Sequence, residues 1–214
     1  MTWHELERSA LARALSAAGP DAPTLCAGWQ SRHLAAHVVL RERAPLVAAG
    51  VVVPGLAART ERAIRELGDS ASDAEDYAEL VAKVATGPSR WSPMAWAAGD
   101  VNLLEFFVHT EDVRRGAGQV EPLELATAHE QALWHRLVRG APLMYRKARV
   151  GIVLVVPGGP RRAVRRARGD AGTVVVRGDI GELVLHAFGR GEAARVHVLG
   201  DAVDVGELDR ALVG

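Results

Sequence analysis

The hydrophobic period of this chain changes once along its length, and that change limits the folds open to it. Over residues 3–18 Leu6, Ala10, Leu11, Ala14, Leu15 and Ala18 fall on one helical stripe with charges opposite, and Gly19-Pro20 breaks the pattern. Asp21 to Trp29 is rich in turn residues. Ser31 can then cap a second helix through Leu34, His37, Val38, Arg41 and Glu42, ending before Gly50 and Pro54. Residues 56–67 and 73–86 read as helices parted by Gly68-Asp69-Ser70, with Gly87-Pro88 stopping the later one. A long helix is expected from Asp100 or Val101 to Arg115, and another after Pro122 as far as about Arg139. Five or six helices with short connections predict an up-and-down bundle.

Beyond residue 140 the period is that of strands. Val150 to Val156 is a short apolar run before Pro157-Gly158-Gly159-Pro160, and Thr173 to Arg177 is another. Arg161 to Arg168 and Ala194 to Leu199 supply two more strands, with helices near 180–188 and 203–212. Composition shifts at the same place: all five Trp precede residue 140, whereas 13 of the 22 Gly lie in the last 75 residues. The expected organisation is a helical bundle over 1–140 and a small α+β domain over 141–214, an α+β chain overall.

Charge excludes some partners. Lys plus Arg and Asp plus Glu are both 26, so no global field draws the chain to nucleic acid or anionic lipid, and neither is expected as a partner. The single cysteine, Cys26, cannot form an internal disulfide, and a zinc site here must draw on His and carboxylate rather than on clustered thiolates. The N-terminal residues lack the basic and apolar runs of a signal peptide, and no apolar stretch approaches membrane-spanning length; a soluble, cytoplasmic protein is expected.

Within the 101–115 helix, Glu105-Phe106-Phe107-Val108-His109 sets a carboxylate and an imidazole four residues apart on one face, the spacing by which a single helix offers two ligands to a metal. The commoner outcome for such a bare pair is a solvated side-chain contact. The earlier helix carries His33 and His37, again four apart, with His37 in mid-helix beside Leu34 and Val38 and so the better placed to face inward. By itself His37 reads more readily as a core histidine bonded to a neighbour. Two His and one Glu, with a fourth position for water or substrate, is the donor set of a catalytic zinc site.

The segment Thr24-Leu25-Cys26-Ala27-Gly28-Trp29, continuing to Leu34-Ala35-Ala36-His37, resembles the C-x-G-W…L-x-x-H segment of the mycothiol-dependent maleylpyruvate isomerase family, part of the wider group of DinB-like metal-binding bundles. Glu105 to His109, with Asp112 and Arg114, resembles that family's second metal segment, and Val176 to Asp179, Glu182-Leu183 and Gly189-Arg190 look like its small C-terminal domain. The likeness is to an uncharacterised actinobacterial branch. It implies a DinB-like bundle, a divalent metal, usually zinc, held by residues mapping to His37, Glu105 and His109, mycothiol as thiol cosubstrate, and a small electrophile as substrate. His33 departs from the pattern, since relatives commonly have Asp there. The implied reaction is isomerisation or thiol S-transfer. The reading from another class is a non-catalytic, metal-stabilised ligand-binding or interaction protein.

Other residues are ambiguous in sequence. Glu111, Asp112, Arg114 and Arg115 can orient His109, bind a carboxylated substrate, or form a solvated helix end. Cys26 reads as a free buried thiol, Trp29 and Trp96 as core or pocket lining, and the five arginines of Arg161 to Arg168 as a solvated strand face. His129-Glu130 fails the zincin spacing because the next histidine is His135.

Overall fold

A computed structural model describes residues 2–44, 54–88, 99–118 and 120–213. Trp96 and the breaker Gly50 lie outside the described residues. The chain is α+β and divides into two compact units, Met1–Val120 and Glu121–Gly214. None of its described helices is long and apolar enough to cross a membrane.

The first unit is helical: α1 (Trp3–Ala18), α2 (Ser31–Arg43), a 3-10 turn (Pro54–Leu56), α3 (Ala57–Asp69), α4 (Ala74–Thr86) and α5 (Gly99–Arg115). Local chemistry sets the ends. Glu5 accepts the Thr2 backbone N–H at 2.6 Å to open α1, and the Asp73 carboxylate accepts from Glu75 N and Asp76 N at 3.0 and 2.9 Å to open α4. Gly19 and Gly87, at φ 82° and 67°, close these helices in the left-handed region that glycine enters without cost to a Cβ. The centre of the apolar stripe read from α1 packs, with Leu11 and Leu15 fully buried beside Leu34, Val38, Val84 and Phe106, whereas Leu6 and Ala18 at its ends are exposed.

One half-buried arginine joins four helices. Arg8 of α1 donates to both carboxylate oxygens of Glu42 on α2, at 2.7 and 2.5 Å, and to the Val84 carbonyl of α4 at 2.9 Å, while its guanidinium lies 4.6 Å from the Phe106 ring centroid on α5. The planar fork suits this role, since both ends of the ion pair are satisfied out of water.

The second unit holds α6 (Thr127–Met144), β1 (Gly151–Val155), β2 (Arg161–Arg165), β3 (Thr173–Arg177), α7 (Ile180–Ala187), β4 (His197–Leu199) and α8 (Ala202–Val213). The sheet order is β2-β1-β3-β4, with β1 antiparallel to β2, parallel to β3, and β4 antiparallel to β3. Central β1 is buried through Ile152, Val153 and Leu154, as a strand flanked on both sides must be. Every strand expected from the sequence forms. The compositional shift at Gly140 falls inside α6, which packs on α7 and β2, so the contacts divide the chain some twenty residues earlier than composition does. Pro142 sits within the last turn of this helix instead of ending it. Helix α6 also starts at Thr127, later than Pro122 suggests.

Candidate metal centre

Helices α2 and α5 each present two side chains one turn apart to the same place. From α2 come His37 and Arg41; from α5 come His109 and Glu105. The two imidazoles meet edge to face, with ring centroids 5.3 Å apart and planes at 80°. One turn along, Arg41 forms an ion pair with Glu105 and donates to Asn102 Oδ1 at 3.1 Å. Burial lowers the Arg41 pKa to about 10, and its guanidinium lies 5.6 Å from the Phe106 centroid. His37 and His109 are buried, 7% and 9% exposed, and Glu105 is half-buried.

A loop between α1 and α2 closes over both rings. Its ends are tied by an isolated bridge between Pro23 and Gln30, the Thr24 hydroxyl donates to the Trp29 carbonyl at 2.9 Å, and Gly28 takes a positive φ of 74°. It is fastened to α5 through the Leu25 N–H, which donates to the Asp112 carbonyl at 3.0 Å. Gly116 lets the two backbones touch: a Cβ there would stand 2.0 Å from the Pro23 carbonyl oxygen. The loop places Trp29 with its ring centroid 5.3 Å from that of His37, its indole N–H donating to Glu61 at 3.2 Å. It places the Cys26 thiol 3.3 Å from Asp112 Oδ2.

Asp112, fully buried, also lies 3.0 Å from His109 Nδ1. Cys26, His109 and Asp112 thus form a group whose ligand atoms all fall within 4.8 Å of one another. Of the residues singled out in the sequence, His37 and His109 come together directly, and Glu105 stands on the same helix face one turn away, held by Arg41. Asp112 takes the orienting position, one of the options its sequence left open. Cys26 is the residue that sequence reasoning left out of the centre. The signal for it was topological: C-x-G-W precedes His37 closely enough for one loop to reach the end of α5.

Two ambiguous groups turn out to be structural. His33 Nδ1 accepts the Gln30 backbone N–H at 3.1 Å, so its proton resides on Nε2, which donates to Asp69 Oδ1 at 3.0 Å. That bond, then the nearby cations, lowers the Asp69 pKa. His33 therefore closes the start of α2, where Gln30 rather than Ser31 is the cap, and stands outside the centre. Glu111 pairs with Arg114 and, at 2.6 Å, with Arg115; Glu111 and Arg115 are 0% and 3% exposed, so this is no solvated helix end.

Among the described residues, the ligand atoms close enough to share a cation are those of Cys26, His109 and Asp112. His37, Glu105 and His109 would form a second donor set for a divalent cation only if Glu105 turned from Arg41, with the Nε2 of His109, whose Nδ1 contacts a carboxylate, as the available nitrogen.

No family model and no curated protein matches the chain in sequence. Solved structures do match. A crystal structure of the mycothiol-dependent maleylpyruvate isomerase aligns over 92% of this chain and 90% of its own, with a TM-score of 0.53 and 20% identity. A histidine-to-alanine mutant of the same enzyme aligns over the same shares, with a TM-score of 0.54 and 19% identity. The chain has the fold of that isomerase. The isomerase fold extends across both units, so the α+β architecture of residues 121–214 belongs to it as much as the bundle does.

Proposed function

We propose that His37, Glu105 and His109 hold a divalent metal, zinc, and that the protein is a thiol-dependent isomerase or S-transferase that uses mycothiol on a small electrophile. The observation that carries the reading is the edge-to-face meeting of His37 and His109 from two helices, in a fold whose solved example is named for mycothiol-dependent isomerisation. A cation held there would favour the thiolate over the thiol of an incoming cosubstrate, as metals do for bound water.

The chain's own residues would do the rest. Trp29 shields the His37 side of the centre, which raises the strength of every charge interaction within it. Arg41, half-buried and cationic, is placed to take a substrate carboxylate when Glu105 turns to the metal. In the isomerisation the thiol sulfur adds to one carbon of an activated C=C bond and a proton ends on the neighbouring carbon or oxygen. Rotation about the resulting single bond and loss of the thiol then give the trans isomer. Transfer is the same addition without the elimination. Such chemistry belongs in the cytoplasm, where small thiols are kept reduced.

The test is elemental analysis of untagged protein beside folded His37→Ala and His109→Ala, followed by assays of mycothiol-dependent isomerisation and conjugation. About one metal per chain, lost in both variants, together with thiol-dependent turnover is the expected result. A wild type that takes up no zinc on titration would overturn the metal assignment. Full metal with no turnover on any electrophile would leave the non-catalytic, metal-stabilised reading.

A further inference from the structure

The Asp112 carboxylate is shared. Its Oδ2 lies 3.0 Å from His109 Nδ1 and 3.3 Å from the Cys26 sulfur, and its own backbone carbonyl accepts from Leu25 N at 3.0 Å. With the carboxylate as the acceptor in both contacts, the imidazole proton sits on Nδ1 and the thiol proton points at the same oxygen. These bonds have a consequence for where a metal can go. His109 has two nitrogens, and Asp112 engages one of them. A metal on Nδ1 would displace the Asp112 contact and join Cys26 and Asp112, a sulfur-containing set; a metal on Nε2 would leave that contact intact and have the partners His37 and Glu105 proposed above.

We infer that Asp112 is a positioning residue, which locks His109 with its proton on Nδ1 and engages Cys26 as a hydrogen-bond donor, so that the metal binds Nε2 and the centre contains no protein sulfur. This rests on the metal-centre reading above and adds to it the choice of face and the exclusion of Cys26 from the coordination sphere. Three features support the choice. Asp112 is fully buried, so the bonds it makes do not compete with water. The loop that brings Cys26 is fastened to Asp112 by backbone as well as side chain, so the thiol is held against the carboxylate. The same loop sets Trp29 against His37, so both rings are buttressed from one segment. With Cys26 held as a donor, the nucleophilic sulfur has to come from outside the chain, which is what a thiol-dependent reaction requires.

The decisive readouts need no turnover. In metal-free wild type with 15N-labelled histidine, long-range 1H–15N spectra should show His109 with its proton on Nδ1, opposite to His33, which serves as the internal control for Nε2. Asp112→Ala should abolish that preference and weaken zinc binding about 10- to 100-fold, the usual cost of losing the carboxylate behind a metal-bound imidazole, whereas Asp112→Asn, which keeps an acceptor, should recover part of it. Cobalt(II)-loaded wild type should lack a thiolate-to-cobalt charge-transfer band, and Cys26→Ser should bind metal within a few-fold of wild type. A charge-transfer band lost in Cys26→Ser would put the metal on the sulfur face, and an Nε2–H tautomer for His109 would remove the hold; either overturns the inference while leaving metal binding intact. A wild type that binds neither zinc nor cobalt would instead sink the metal centre itself, whatever the tautomer.

Discussion

At the scale of single residues, two histidines four positions apart on α2 have opposite fates. His37 meets His109, while both ring nitrogens of His33 are spent at the helix start. His33→Ala is therefore expected to leave zinc stoichiometry unchanged and to cost about 1–2 kcal/mol of stability, the range for losing a helix cap, as read from urea unfolding. Loss of metal in that variant would return His33 to the ligand set. The helical spacing made His33 and His37 legible as a pair on one face. It could not rank them, because the difference lies in what faces each ring: α5 for one, Asp69 at the end of α3 for the other.

At the scale of elements, the proposed metal centre depends on how closely the 21–30 loop can approach α5. The approach exists because residue 116 has no side chain. Gly116→Ala would set a Cβ 2.0 Å from the Pro23 carbonyl oxygen, and backbone rather than a flexible side chain would have to move. A loss of about 1–3 kcal/mol is expected, as for other overpacked sites, with a weakened zinc affinity because Cys26 and Trp29 move with the loop. Calorimetric melting with zinc titration checks both; an unchanged affinity would separate the loop from the centre. The helices and strands themselves were readable, since amphipathic period, capping Asp and terminal Gly are local signals. The loop was not, because its shape is set by a glycine more than 80 residues away in sequence.

For the molecule as a whole, the acid limb of the stability curve should be set in part by a pair far from the metal centre in sequence. His186, 2% exposed on α7, lies with Nδ1 2.9 Å from the Tyr145 hydroxyl, and burial lowers its pKa to about 4 and raises that of the phenol. The folded value is below the unfolded one, so between roughly pH 6.5 and pH 4 the unfolded chain binds the proton first and stability falls as pH falls. A loss of roughly 3 kcal/mol across that window is expected, and His186→Gln should flatten it in urea unfolding at pH 7 and pH 4.5. An equal slope in wild type and variant would assign the acid limb to other groups.

The sequence by itself determined the helices, the strands and the α+β class, and nominated His37, Glu105 and His109 as ligands, because each rests on spacing within one element or on a local motif. Only the tertiary structure decided which histidine faces which, that Glu105 is held by Arg41, that Asp112 stands between His109 and Cys26, and that α6 packs with the sheet. Those are contacts between segments distant in sequence. Their partners are chosen by burial and hydrogen-bond satisfaction in three dimensions, and no periodicity along the chain encodes them.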